Sequence, residues 1–532
     1  MKKKRENLIK GIIALLFSQV LIKIIGLAYK LYLTNKEGFG DRGNAIYGAG
    51  FQIYALLLTF SSTGVPNSIA KIVSEKLAIG DSKGAHKIFK IAFFTFAFLG
   101  LLGTIFLFLN AKIIANKFLE IPEAEYSLVT LSPSIFFVSI TSVIRGYFNG
   151  RQNLSVMAKS QTIEQVFKTI FTIIFVEFIA KISRNNTMLM AGIANLATSA
   201  ATLFSFSYIY IFYKIKRKEI ASEINQSINY IPTRIRKTLK NILRESIPVS
   251  LSSLMSSFNK NIDLFTVVRI LKKYTSEENA KIQYGILSGK IDTLCVLPLS
   301  LNIPFVTAMV PSISKSLAMG DKKLVTKKIN KFLEISMIIA LPATVGIIIY
   351  AKQILNLLFP HANSGYFLLQ INSISILFAL LSQTMNGILQ GIGKSKIPLI
   401  AFSVGLIFKF ITNIFLMSNP FIGINGAAIS NIVCNVIVFN IESFYILKKI
   451  YLKIEIKKII FKPIFATIVM YIFSNILKKI LKGSLINNII SVLAIATSAM
   501  AYATTIASLR ILGKLNKKNF LKKRGILSKI GE

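Results

Sequence analysis

Four lysines fall in stretches of the chain that are otherwise apolar enough to lie in a lipid bilayer. Lys23 and Lys30 sit in the first such stretch, Lys71 at the end of the second, and Lys290 at the start of the eighth. An ammonium group at mid-membrane costs about 3 kcal/mol even on the lenient insertion scale. Such charges persist where they face a water-filled cavity or an anion. Lys23 and Lys30 are two helical turns apart, which puts them on one face about 10 Å from each other. Gly26 lies between them and Tyr29 is next to Lys30. This spacing suits a diphosphate, although Lys30 is also placed to snorkel to the outer interface.

The seventh stretch reads Asn259-Lys260-Asn261-Ile262-Asp263, and the eighth carries Asp292 close to Lys290. Lys260, Asp263 and Asp292 have three open readings: ion pairs with lysines of the first half, a site for a coupling cation, or a buried pair without function. In the fifth stretch Gln161, Glu164, Gln165 and Lys168 recur at i, i+3, i+4 and i+7, so one face of that helix is polar. Glu164 and Lys168 are an i,i+4 pair in the favourable order. With Arg145 of the fourth stretch they read as a structural latch to a neighbouring helix, and secondarily as substrate contacts.

The elements that position these residues follow from composition. The chain has 532 residues, 53% of them hydrophobic. Apolar runs of roughly twenty residues, the length of a membrane-spanning helix, recur near 8–33, 45–73, 88–110, 127–149, 158–180, 188–213, 246–270, 283–310, 331–350, 365–390, 396–418, 424–447, 459–478 and 485–511. The expectation is an all-α polytopic membrane protein with about fourteen transmembrane helices. The net charge of +42 would suggest nucleic acid in a soluble protein. Here the lysines cluster in alternate loops, at 2–5, 76–87, 214–237, 322–328, 448–458 and 517–524. By the positive-inside rule both termini and these clusters face the cytoplasm, and no nucleic-acid role is expected. The apolar start is interrupted by Lys23 and Lys30 and lacks a small-residue cleavage site, so it does not read as a cleaved signal peptide.

No chemistry of an enzyme is visible. Cys295 and Cys434 lie in apolar segments, His86 and His361 are isolated, and Gly393-Lys394-Ser395 lacks the strand and first glycine of a phosphate-binding loop. No metal site and no cofactor are expected. Any work would draw on the membrane potential or a monovalent cation.

The chain also repeats itself. Leu77-Ala78-Ile79-Gly80-Asp81 returns as Leu317-Ala318-Met319-Gly320-Asp321, Arg145-Gly146-Tyr147-Phe148-Asn149-Gly150 as Asn386-Gly387-Ile388-Leu389-Gln390-Gly391, and Phe167-Lys168 as Phe408-Lys409. Repeats of this kind mark secondary transporters. The expected division is a six-helix lobe over 1–213, a basic linker over 214–245, a second six-helix lobe over 246–450, two further helices over 451–512 and a basic tail over 513–532. A substrate path would run between the halves, lined by the first, second, seventh and eighth spans.

The stretch Arg145–Asn153 with Ser160–Gln165 resembles the multidrug/oligosaccharidyl-lipid/polysaccharide exporter superfamily. Within it, the chain is similar to SpoVB/YtgP-like polysaccharide biosynthesis proteins and to MurJ-type lipid II flippases. Supporting stretches are Lys23–Lys30, Tyr284–Lys290 with Leu297-Pro298, and Val310–Lys315. The resemblance implies fourteen helices around a cationic cavity, alternating access, and an undecaprenyl-diphosphate-linked glycan as substrate in a bacterial cytoplasmic membrane. It aligns a cavity arginine of the family with Lys23, a second with Tyr29 beside Lys30, and an Asp-Arg pair with Asp292 and Thr293. It also implies a tail groove along the last two spans. Three rivals stay open: a flippase for another undecaprenyl-linked glycan such as a teichoic acid or capsule unit, a cation-coupled drug exporter, and a structural membrane protein of cell-wall or spore assembly that scaffolds enzymes. Cell-wall synthesis or division proteins are the protein partners expected.

Overall fold

In lipid, a chain can satisfy its own backbone only as helix or closed barrel, and a run such as 91–109 has no charge and no strand-like alternation. A computed structural model of the chain describes residues 2–523 apart from 60–64, 152, 184–185, 226–253, 256–257, 319–320, 395, 450–455 and 481–487. All its regular structure is helical.

The helices are α1 (Lys2–Asn35), α2 (Gly40–Thr59), α3 (Val65–Ala78), α4 (Ser82–Ile113), α5 (Ala124–Gly150), α6 (Leu154–Ile182), α7 (Thr187–Asn225), α8 (258–271), α9 (Glu277–Gly285), α10 (Asp292–Ala318), α11 (Lys322–Leu358), α12 (Tyr366–Gly391), α13 (Lys396–Met417), α14 (Asn425–Lys449), α15 (Ile456–Ile480) and α16 (Asn488–Lys523). Wide π-turns extend α4 over Ile114–Leu119 and join α9 to α10 over Ile286–Ile291. Among the described residues ten helices are long and apolar enough to cross a membrane. The first, second, fifth and seventh expected spans are not among the ten, and these carry Lys23, Lys30, Lys71, Lys168, Lys260 and Asp263.

The sixth span is longer than expected. Helix α7 continues to Asn225, so 214–225 of the expected linker is helix; 226–245 lies outside the described residues. Lys, Arg, Glu and Ala are strong helix formers, and Arg151 holds this extension through Glu223 at 2.7 Å.

The chain divides into two compact units, Met1–Leu297 with Phe402–Cys434, and Pro298–Ala401 with Asn435–Glu532. In the first, α3, α4, α5 and α7 pack around Phe89, Tyr147 and Phe148. In the second, Met309, Leu333, Met385 and Ile446 form a core from α10, α11, α12 and α14. There α15 and α16 lean on α11: the Tyr350 hydroxyl is 2.8 Å from Ser498 Oγ, and Tyr502 donates to the Ile338 carbonyl.

The repeated motifs have one structural meaning in both units. Asp81 caps α4 by accepting from Gly84 N at 2.7 Å, and Asp321 caps α11 by accepting from Leu324 N at 2.8 Å. In the first unit Gly146 and Gly150 let α5 approach α3 so closely that a Cβ on either would stand 2.8 Å from a carbonyl oxygen, of Pro66 or Ala70. In the second, a Cβ on Gly387 would meet Met309 Cε at 2.5 Å, and one on Gly391 would meet Ile313 Cβ at 3.0 Å. Both are small-x-x-x-small contacts, the close helix packing favoured in membranes.

The tightest approach is α9 on α2, where a Cβ at Gly285 would lie 1.8 Å from the Asp41 carbonyl oxygen. Neither backbone can yield as a side chain would. Gly285→Ala is expected to destabilise the protein by about 3 kcal/mol or more, seen as a lowered melting temperature in detergent. An unchanged melting temperature would contradict this packing.

Candidate anion-binding site

Helix α1 places Lys23, Gly26 and Lys30 on one face. Lys30 is buried, and its Nζ sits 4.9 Å from the centre of the Tyr47 ring on α2. Tyr47 OH is 3.4 Å from Tyr29 OH, and the Tyr47 ring stacks on Phe51. Lys168 of α6, also buried, projects onto the same wall, its Nζ 4.2 Å from the Phe51 ring and 5.0 Å from Tyr29. Lys260 of α8 bears electrostatically on both Lys23 and Lys30, and Lys168 bears on Lys30. Lys23 itself is exposed. Lys71 lies on α3, its side chain outside the described residues.

The result is a cluster of Lys23, Lys30, Lys168 and Lys260 with aromatic faces behind it. Among the described residues no carboxylate oxygen lies within 4 Å of any of the four ammonium groups. Gln165 adds an amide donor: its Nε2 is buried without a hydrogen-bond partner among the described residues and would be 3.5 Å from a Cβ on Gly26. Ring faces stabilise a cation by about 0.5–2 kcal/mol. Two unit charges 10 Å apart repel by about 1.7 kcal/mol at an effective dielectric of 20. The rings, with the Asp41 charge acting on Lys30 and the Asp292 charge near Lys260, offset part of that repulsion, and a bound anion would offset more.

The other sequence candidates are placed differently. Lys290, on the π-turn before α10, is fully buried and donates to Asp41 Oδ2 at 2.9 Å. Asp263 does not meet a lysine of the first half. It accepts from Lys409 Nζ at 2.7 Å and from Asn413 at 2.9 Å, while Lys409 also donates to the Asn259 carbonyl. Asp292 feels both Lys260 and Lys409. Glu164 turns from Lys168 to Arg145, 2.7 Å away, and Arg145 also donates to Ser160 and Ser205, tying α5, α6 and α7 together. Gln161 lies on the same helix, half-buried.

Sequence reading missed the partners supplied by loops and distant helices. Lys409 was visible only as the repeat of Lys168. Glu442 of α14 is fully buried with neither carboxylate oxygen hydrogen-bonded among the described residues, and nothing in its spacing marks it. Asp41 and Arg42 open α2, and Glu120 and Glu123 sit in the α4–α5 turn, stretches that read in the sequence as ordinary polar connections. They build a dense set of ion pairs at the α1–α2 end of the first unit. Glu123 pairs with Lys281 at 2.9 Å, Arg42 with Glu278 at 3.1 Å, and Glu120 with Arg269 at 3.0 Å and Lys272 at 2.5 Å. Burial works to raise the Glu120 and Glu123 carboxyls, but hydrogen bonds from Lys272 and Arg269 to the first and from Lys281 to the second outweigh it and hold both below the ordinary value. The set ties α2 and the α4–α5 turn to α8 and α9, closing this end of the first unit.

Comparison with known proteins bears on the fold and the family. The polysaccharide biosynthesis protein profile matches residues 8–317, and the MatE profile residues 293–415. The lipid II flippase MurJ of Bacillus subtilis is 25% identical over 426 residues, 77% of each chain. Stage V sporulation protein B of the same organism is 23% identical over 459 residues, 85% of this chain and 86% of that one. A solved structure of lipid II flippase MurJ in an inward closed conformation superposes with a TM-score of 0.71 at 17% identity, over 95% of this chain and 100% of the other. The chain therefore belongs to the polysaccharide biosynthesis protein family, and it is a multi-pass membrane transporter or flippase of the multidrug/oligosaccharidyl-lipid/polysaccharide exporter superfamily, not an enzyme.

Proposed function

We propose that this protein flips an undecaprenyl-diphosphate-linked glycan, with lipid II as the first substrate to test, from the cytoplasmic to the outer leaflet by alternating access. The observation that carries this reading is the set of ammonium groups of Lys23, Lys30, Lys168 and Lys260 without a carboxylate partner, beside the idle Gln165 amide. A drug exporter for cations would need acidic groups at that place. Lys290 is held by Asp41 in this state and joins the diphosphate only when that pair opens. In this reading fourteen spans form two six-helix lobes plus α15 and α16, and both termini are cytoplasmic. The exposed apolar side chains Phe461, Phe465, Ile468, Val492 and Leu493 of α15 and α16 suit a polyprenyl tail.

An inside-negative potential drives a diphosphate outward by up to about 2.3 kcal/mol per charge per 100 mV. That is an upper figure, since cavity lysines moving with the anion reduce the net charge carried. The test is transport in reconstituted vesicles. Lipid II is expected to cross faster with the protein than without it, and faster still under an inside-negative potential. The polysaccharide profile also fits a related flippase for another undecaprenyl-linked glycan. Movement of a teichoic acid or capsule precursor but not of lipid II would support that second reading. Movement of neither would overturn both.

A further inference from the structure

Away from this cluster, at the opposite end of the first unit, the N-terminal turns of α4 and the C-terminal extension of α7 enclose a cavity of about 510 Å3. Among the described residues its wall carries five basic side chains, Lys83, Lys87 and Lys90 from α4 and Lys214 and Arg217 from α7, together with His86; Lys83 and Lys87 also have other partners. The α7 carboxylates nearest in sequence are engaged elsewhere: Glu219 with Lys216 at 2.6 Å and Glu223 with Arg151 at 2.7 Å. The cavity floor is aromatic. Tyr213 packs on Phe89 with ring centres 5.2 Å apart, and Lys214 Nζ stands 5.1 Å from the Tyr210 ring. His86 Nδ1 is buried without a hydrogen-bond partner among the described residues. A volume of this size is ordinary for a small-ligand site.

The helix faces say what kind of anion belongs here. Along α4 one stripe at spacings of three, four and seven runs Lys83, Lys87, Lys90, Phe94, Leu101, Ile105, Phe108. The four apolar members are exposed, Phe94 at 70%. On α7 the equivalent stripe runs from Arg217 and Lys214 through Tyr210 to the exposed Leu203. The basic cavity therefore opens onto a continuous apolar surface of the kind that faces acyl chains. A soluble anion would use the charges and leave that surface idle, whereas a lipid uses both. Basic pockets at the membrane surface between spanning helices recognise acidic lipid head groups.

We propose that this cavity binds the phosphate head group of an acidic membrane phospholipid, whose chains lie along the exposed stripes of α4 and α7. It is a site separate from the transport cluster, and it stands or falls independently of the transported substrate.

The test uses the full-length protein in nanodiscs of zwitterionic phosphatidylcholine carrying a minority of phosphatidylglycerol, with bound lipid counted by native mass spectrometry. The triple variant Lys87→Gln/Lys90→Gln/Lys214→Gln is expected to retain phosphatidylglycerol about a hundredfold more weakly, roughly fivefold for each lost charge. Its melting temperature in pure phosphatidylcholine should stay unchanged. A surface control on α11, Lys322→Gln/Lys323→Gln, is expected to bind like the parent. Equal losses in both variants would reduce the effect to general surface charge and overturn the proposal. Equal retention in the triple variant and the parent would overturn it too. Inorganic pyrophosphate added to the mixed discs separates the two sources of the anion. If it binds and displaces phosphatidylglycerol completely, the lipid assignment fails. If phosphatidylglycerol stays bound against it, the acyl contacts are confirmed as part of the site.

Discussion

Replacing Lys30 and Lys168 together by Met is expected to cut transport of a diphosphate-linked lipid in reconstituted vesicles by about a hundredfold or more, while leaving the protein as stable as before or more so. Each ammonium can give an anion a charge-assisted hydrogen bond, for which about 1.5–3 kcal/mol is typical, and each tenfold in affinity corresponds to about 1.4 kcal/mol. Two such losses reach that range. Stability moves the other way because both groups are buried and, among the described residues, neither forms an ion pair. Methionine fills the space and removes two charges that repel each other, at the cost of the ring contacts to Tyr47, Phe51 and Tyr29. A residue held for structure alone would lose stability and transport together. Full transport by the double variant would remove the anion reading of the cluster. Lys23→Ala is expected to act more weakly, since that side chain is exposed in this state.

The second large effect concerns the ion pairs at the α1–α2 end of the first unit. Asp41→Asn leaves the fully buried Lys290 without its carboxylate. Stranding one member of a buried pair costs about 3–5 kcal/mol. If the closed end is one of two transport states, that cost shifts their ratio toward the open one by a hundredfold or more. A cysteine placed at Ser288, beside Gly48 in the packed interface of α2 with the π-turn, is expected to become reactive to a membrane-impermeant maleimide from the outer side in Asp41→Asn and to stay protected in the parent. Protection should return in the double variant Asp41→Asn/Lys290→Met, which removes the buried charge. Protection maintained in Asp41→Asn would mean that the pair does not hold a gate. Acid should loosen the same end. Glu120 and Glu123 are held below the ordinary carboxylate value, so their contribution is complete at neutral pH. It is lost only as pH falls through their lowered values. Maleimide labelling, scaled at each pH to that of an exposed control cysteine because only the thiolate reacts, is therefore expected to stay flat through neutral and mildly acidic pH and to rise only below it.

Much of this was legible in the chain itself, for identifiable reasons. The membrane class follows from run length, because lipid leaves a twenty-residue apolar stretch little choice but helix. The repeat was visible because its motifs do local work. Asp81 and Asp321 cap the helices that follow them, and the glycine pairs 146/150 and 387/391 permit close packing, so their spacing is set by the helix period. Lys23 and Lys30 were visible because a charge in an apolar run is costly wherever the rest of the chain lies.

What tertiary structure alone decided is which charge meets which. Lys23, Lys30 and Lys290 look alike in sequence, each a lysine in an apolar run. Folding buries Lys30 against a tyrosine, leaves Lys23 open, and hands Lys290 to an aspartate 249 positions away. Lys168, read as one half of a helical pair with Glu164, loses that partner to Arg145 and becomes part of the cationic cluster. Asp263 likewise finds Lys409, 146 positions distant. Spacing along a helix fixes the face a side chain takes and the period of its neighbours. It carries no information on what a distant helix brings to that face, and in a low-dielectric interior that choice determines whether a charge is neutralised or left to hold an anion.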